Sequence, residues 1–154
     1  MLKNQFQFVD RITEPRKLNK GEKFELEMGF HFNAEGYHPV APATESGDLT
    51  VDGTEYQCKA DRGFWEDIRN IAEFIDFILN SDKADRYLLK VSTSKNWALN
   101  VNKMGLIRLA AAGYIRFDQP AFGKPCARWS MTIKEAIHLK RNLNIDYFKY
   151  ESLI

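Results

Sequence analysis

The sequence predicts an α/β fold on a mixed sheet, and three observations carry that prediction. Apolar residues recur at every fourth position at Phe24, Met28 and Phe32. Two alternating β-type runs, residues 48–51 and 54–60, are joined by Asp52-Gly53. A broad apolar stripe at Phe64, Ile68, Ile71, Ala72, Ile75, Phe77 and Ile78 is followed by two further β-type runs. Spacing by four buries one face of a helix, and Asp-Gly between apolar runs is the strongest short-range hairpin signal. The resulting order is αβββαβ.

Taken in order, residues 4–12 (NQFQFVDRI) alternate with period two and read either as an edge strand or as an arm contacting a second subunit; a homodimer is the expected assembly. Residues 15–21 are a polar connection. The first helix covers residues 21–33, and Gly36 suits its stop because glycine readily takes the left-handed conformation that ends helices. Residues 37–42 are a short extended run limited by two prolines, and the hairpin follows. Residues 64–80 form the clearest helix. Residues 86–92 and 96–101 make a strand pair around Thr93-Ser94-Lys95. A helix over residues 103–113 stops at Gly113, residues 114–117 and 127–132 flank a Gly/Pro-containing loop, and residues 133–142 form the last helix. Two regions are expected: a core in residues 1–102 with an N-terminal arm, and a basic extension in residues 103–154 that is either part of the same domain or a small appendage.

With 154 residues, 44% of them hydrophobic, the chain is long enough to bury a core without disulfides. No apolar run approaches the roughly 20 residues of a membrane span, and residues 1–20 lack a signal-peptide stretch, so a cytoplasmic address is expected. Cys58 and Cys126 have no metal-type spacing and read as free thiols, which leaves zinc chemistry without support. The net charge of +1 conceals a segregation. Residues 1–20 carry five basic and two acidic side chains, residues 21–102 eight and fifteen, and residues 103–154 nine and four. An acidic centre between basic flanks suits carboxylates that hold an ion and lysines or arginines that hold phosphates.

Strand alternation sorts the hairpin into two faces. Tyr56, Cys58 and Ala60 point into a core with Leu49 and Val51, whereas Asp48 and Thr50 face with Gln57 and Lys59. A carboxylate, an amide carbonyl and an amine therefore meet on one sheet face. Magnesium takes a few hard oxygen ligands and keeps several waters. Asp48 and the Gln57 carbonyl are candidate ligands, and Lys59 is placed to hold or deprotonate an attacking water. Glu45, Glu55 and Asp61 are nearby substitutes. Cys58 reads as a small core residue, and His31, His38 and His138 as structural or surface groups.

The segment KGEKFELEMGFHFNAEGYHPVAPATESGDLTVDGTEYQCKA, residues 20–60, resembles the PD-(D/E)XK nuclease superfamily, most closely the branch of Mrr-type restriction enzymes and Holliday-junction resolvases. The resemblance implies a restriction-endonuclease-like core and a Mg²⁺- or Mn²⁺-dependent DNA endonuclease. Glu25 falls at the helix glutamate, Asp48 at the aspartate, and Gln57 and Lys59 at the acid and lysine of the x-K strand. It implies metal ligation by Asp48, Gln57 and Glu25, with Lys59 assisting. Gln57 departs from the usual acid, in a Q-x-K form that some members share, and removes one negative charge from the site. The likeness extends loosely to about residue 102. Beyond it, GLIRLAAAGYIRFDQPAFGKPCARWSMTIKEAIHL resembles the end of a winged-helix domain, with Arg108, Arg116, Lys124 and Arg128 as expected phosphate contacts. The alternative to a nuclease is a non-catalytic DNA- or protein-binding module, either a decayed nuclease fold or a winged-helix regulator.

Overall fold

The computed structural model describes residues 18–40 and 48–152; the arm at residues 4–12 and Glu45 lie outside them. Helix α1, Lys20–Ala34, opens on a reciprocal cap: Asn19 Oδ1 accepts from Glu22 N–H at 2.8 Å and Glu22 Oε1 accepts from Asn19 N–H at 3.3 Å. Phe24, Met28 and Phe32 are buried along one face, as the spacing by four predicts. The helix ends where Tyr37 N–H returns to Phe32 O and Gly36 takes φ +90°.

Strands β1 (Pro39–Val40), β2 (Leu49–Val51) and β3 (Thr54–Lys59) form an antiparallel meander. Asp52 and Gly53 both have positive φ, the type I′ geometry that matches strand twist. Register pairs Leu49 with Tyr56 and Val51 with Thr54. Strand β5 (Arg86–Val91) lies parallel to β3 and antiparallel to β6 (Trp97–Asn102), so the sheet is mixed.

The expected helix over residues 64–80 is only partly present. Phe64–Glu66 is a strand, β4, paired antiparallel with β8 (Cys126–Trp129), which also pairs with β7 (Ile115–Arg116). Asp67 then takes φ 61°, and Asn70 caps a helix that starts at Ile71, its Oδ1 accepting from Glu73 N–H at 2.9 Å. Helix α2 is Ile71–Asp76, continued by a π-helical turn at Phe77–Ser81. The apolar residues at positions 64 and 65 satisfy a strand and a helix equally well, and pairing with β8 decides between them.

Helices α3 (Lys103–Ala111) and α4 (Ile133–Leu143) match their predicted spans closely. A further strand, β9 (Tyr147–Lys149), was not expected; it pairs with β6 and completes the six-stranded order β1-β2-β3-β5-β6-β9, beside the smaller sheet β4-β8-β7. On one face of the large sheet α1 buries Phe24 and Met28 against Leu49, Tyr56, Cys58 and Leu88. On the other, Tyr87, Leu89 and Leu99 share a core with Trp65, Phe74 and Ile78 and with Leu106, Leu109, Trp129, Ala136 and Leu139 from residues 103–154. Among the described residues no helix is long and apolar enough to cross a membrane.

Candidate active site

The β2–β3 register ends at the Leu49–Tyr56 pair, and Asp48 lies one residue before β2 begins. Gln57 and Lys59, two residues apart on β3, share the face opposite the buried Tyr56 and Cys58. Asp48 N–H donates to Tyr56 O at 2.8 Å, and Asp48 Oδ2 accepts from Cys58 N–H at 2.8 Å. The carboxylate thus closes the end of the ladder where β2 begins.

That face differs from expectation in one respect. Alternation alone predicts an exposed polar surface, yet Gln57 and Lys59 are half-buried because β4 and the π-helical turn fold over them. The result is a cleft of about 560 Å³ lined by Gln57, Lys59, Phe64, Trp65, Glu66, Phe77, Ser81, Asp82 and Lys83. Lys59 Nζ donates to Phe64 O at 2.9 Å and stands 4.8 Å from the Trp65 ring centroid. Burial pushes the Lys59 ammonium below its ordinary value of 10.5, opposed by the charges of Asp48, Asp82, Cys58 and Glu25 in decreasing order.

Asp82 is the acid that sequence reasoning missed. Its Oδ1 accepts from Ala84 N–H at 3.0 Å and its Oδ2 from the Tyr87 hydroxyl at 2.9 Å. Burial, then the Asp82 charge, raises the Tyr87 phenol. Lys103 Nζ donates to Ile78 O at 2.6 Å and to Asp82 O, tying the end of the π-helical turn to the start of α3. Nothing in the spacing around residues 80–85 marks Asp82; only the crossover from α2 to a strand parallel with β3 delivers it to the cleft.

Glu25 stands in the α1 layer, on the side of the sheet away from Gln57, and enters the surroundings of Lys59 through its charge, the last of the four contributions. Glu55 Oε1 accepts from the Thr50 hydroxyl at 2.8 Å, and Cys58 is buried in the α1-side core. His38 Nδ1 lies 3.1 Å from Asp52 Oδ1 on the exposed hairpin, and His31 stacks on Phe148 at 4.8 Å. Both act locally.

Of the four expected phosphate-binding residues, two come together. Arg116 and Arg128 are direct cross-strand partners on β7 and β8, and Arg128 pairs in turn with Phe64 on β4. Arg128 Nε is buried with no hydrogen-bond partner among the described residues. Lys124 is already engaged, 3.4 Å from Glu66 and 3.7 Å from Asp67, and its ammonium is raised first by the Glu66 hydrogen bond. Arg108 is exposed in the last turn of α3.

The arrangement offers a partly desolvated amine and a side-chain amide at one cleft, the carboxylates of Glu66 and Asp82 on its wall, the Asp48 carboxylate at the adjoining strand end, and a pair of arginines on the neighbouring sheet. Compared with family models, curated proteins and solved structures, the chain has no match.

Proposed function

We propose that this chain is a metal-dependent endonuclease that hydrolyses DNA phosphodiester bonds at the face carrying Asp48, Gln57 and Lys59. The observation that supports the reading is that Gln57 and Lys59 line one cleft while Asp48, whose carboxylate accepts from the intervening Cys58 N–H, is the largest charge acting on Lys59. The order around it agrees with what the resemblance implies: a helix, an antiparallel three-strand meander, a helical crossover and a strand parallel to β3, with β4 as an insertion.

The donor chemistry fits Mg²⁺ or Mn²⁺, since Asp48 and Gln57 supply hard oxygens. Among the described residues no three His, Cys, Asp or Glu side chains gather at ligating spacing. Asp48, the Gln57 amide oxygen and water would therefore hold the ion, with Glu25 and Asp82 adding negative charge. When bound, it would supply Lewis-acid stabilisation of the phosphate and acidify a water. Lys59 holds that water and takes its proton, a role eased by the burial that depresses its ammonium. The water oxygen bonds to phosphorus, one bridging P–O bond breaks, and the departing alkoxide collects a proton from solvent. Trp65 and Phe77 restrict water at the cleft wall.

Purified protein should cut at least one of supercoiled, single-stranded or branched DNA in Mg²⁺ or Mn²⁺, stop on chelation, and lose activity as Lys59→Met. Failure to cut any of them, or cutting that survives the substitution, overturns the assignment. One observation favours the alternative, a decayed nuclease fold that binds DNA without cutting it. Asp48 and Lys59 both engage backbone groups, Cys58 N–H and Phe64 O. On that alternative, DNA binding persists in Lys59→Met and no substrate is cut by the wild type.

A further inference from the structure

The hairpin between β7 and β8 ends in a two-residue turn that breaks a rule of turn chemistry. Ala121 and Lys124 exchange both backbone hydrogen bonds, at 3.0 and 2.9 Å, which leaves Phe122 and Gly123 as the tip with φ 53° and 73°. A turn of this hand wants Asn-Gly, because asparagine tolerates the left-handed region and a bulky residue does not. Here the position holds a phenylalanine that is 81% exposed. It is therefore disfavoured twice, by its backbone and by the water around its ring. Such outliers persist where the residue has a job outside the fold.

The surroundings say which job. The Phe122 ring lies 5.7 Å from that of Phe64 at 49°, and Phe64 both lines the cleft and accepts the Lys59 hydrogen bond. The Lys124–Glu66 ion pair ties the tip to β4 beside that cleft. Across the small sheet, Phe64, Arg128 and Arg116 are successive cross-strand neighbours, and the buried Arg128 Nε has no partner among the described residues. Aromatic faces next to a row of guanidinium groups complement a ligand that is flat and polyanionic at once. An unpaired nucleotide is such a ligand, and a base inside a duplex is not, because its faces are already stacked.

We propose that Phe122 and Phe64, with Arg128 and Arg116 beside them, form a stacking platform for an unpaired base, so that the DNA taken by the neighbouring cleft carries a single-stranded segment. The inference rests on the nuclease reading above and narrows its substrate. The arginines hold the phosphates on either side of the stacked base, and the aromatic pair leaves sequence unread because every base has a π-face.

Fluorescence anisotropy in a chelator, where no cutting occurs, compares a labelled oligothymidine with a blunt duplex of the same length. The wild type should prefer the single strand. Phe122→Asn should lower the ratio of the two affinities by about 5- to 140-fold, the value of one stacked base. Phe122→Trp should keep it. Asparagine suits the left-handed position, so Phe122→Asn should melt no lower than the wild type, which separates a loss of stacking from a loss of folding. A ratio unchanged in Phe122→Asn, or a wild type that binds oligothymidine no tighter than duplex or not at all, overturns the platform. Cutting in Mg²⁺ with an unchanged ratio would retire the platform alone. A shifted ratio without any cutting would retire the nuclease reading alone.

Discussion

Asp48 and Lys59 each join the candidate chemistry to the integrity of the strand ends, and the two contributions separate by choice of substitution. Asp48 Oδ2 accepts the part-buried Cys58 N–H. Asp48→Ala leaves that donor unsatisfied and should cost about 1–3 kcal/mol in urea unfolding. Asp48→Asn keeps an acceptor oxygen and should cost little; an asparagine variant as unstable as the alanine one would refute the capping role. Lys59 makes a pH prediction. Its folded-state ammonium is depressed below 10.5 by burial, so the unfolded chain binds more protons between the folded value and 10.5. Stability conferred by the wild-type residue relative to Lys59→Met should therefore rise with pH through that window and level off above it. Parallel stability curves for the two proteins would contradict the desolvated amine. At this scale the sequence was informative where strand alternation applies: Tyr56 and Cys58 face the α1-side core, and Gln57 and Lys59 face the cleft. It was silent on Asp82, whose arrival at the cleft depends on tertiary crossover, and on the cover that half-buries Lys59.

The elements divide in the same way. Helix α1 and the Asp52-Gly53 hairpin are legible because their signals are local: a reciprocal cap, a spacing by four, a turn whose residues accept positive φ. Strand β4 is not, because its hydrogen-bond partner β8 lies far along the chain and its apolar residues run on into a helical stripe. Strand β9 is three residues long and is held by pairing with β6 and by the stacking of Tyr147 on Trp97 at 4.2 Å. The turn into β4 is the tightest link between site and scaffold. A Cβ built on Gly63 would stand 2.9 Å from Ala60 O and 3.3 Å from Lys59 Cβ. Gly63→Ala should then cost about 1–3 kcal/mol by overpacking against backbone, and should shift Phe64 O away from Lys59. An unchanged urea midpoint would show that this turn has slack and that β4 does not position Lys59.

Across the whole molecule, the large sheet separates the α1 layer from a second core shared by β4–β6, α2–α4 and the small sheet, and the candidate cleft opens between the two sheets. Charge segregation was legible in composition, but which basic side chains act together was not. Arg116 and Arg128 adjoin, whereas Lys124 is held by Glu66 and Asp67. Replacing both arginines with glutamine should flatten the slope of log affinity against log salt by roughly 0.7–0.9 for each phosphate that an arginine neutralises. Equal slopes would remove the small sheet from DNA binding. Everything proposed for the site turns on whether the Asp48–Gln57–Lys59 face cuts DNA. The most direct measurement is the Mg²⁺-dependent cutting rate of wild type beside Asp48→Asn, with unfolding followed on the same samples. The wild type should cut and stop on chelation, and an asparagine variant of nearly unchanged stability should not cut. A wild type that cuts no DNA in Mg²⁺ or Mn²⁺, or an Asp48→Asn protein that cuts as fast, would contradict the nuclease assignment.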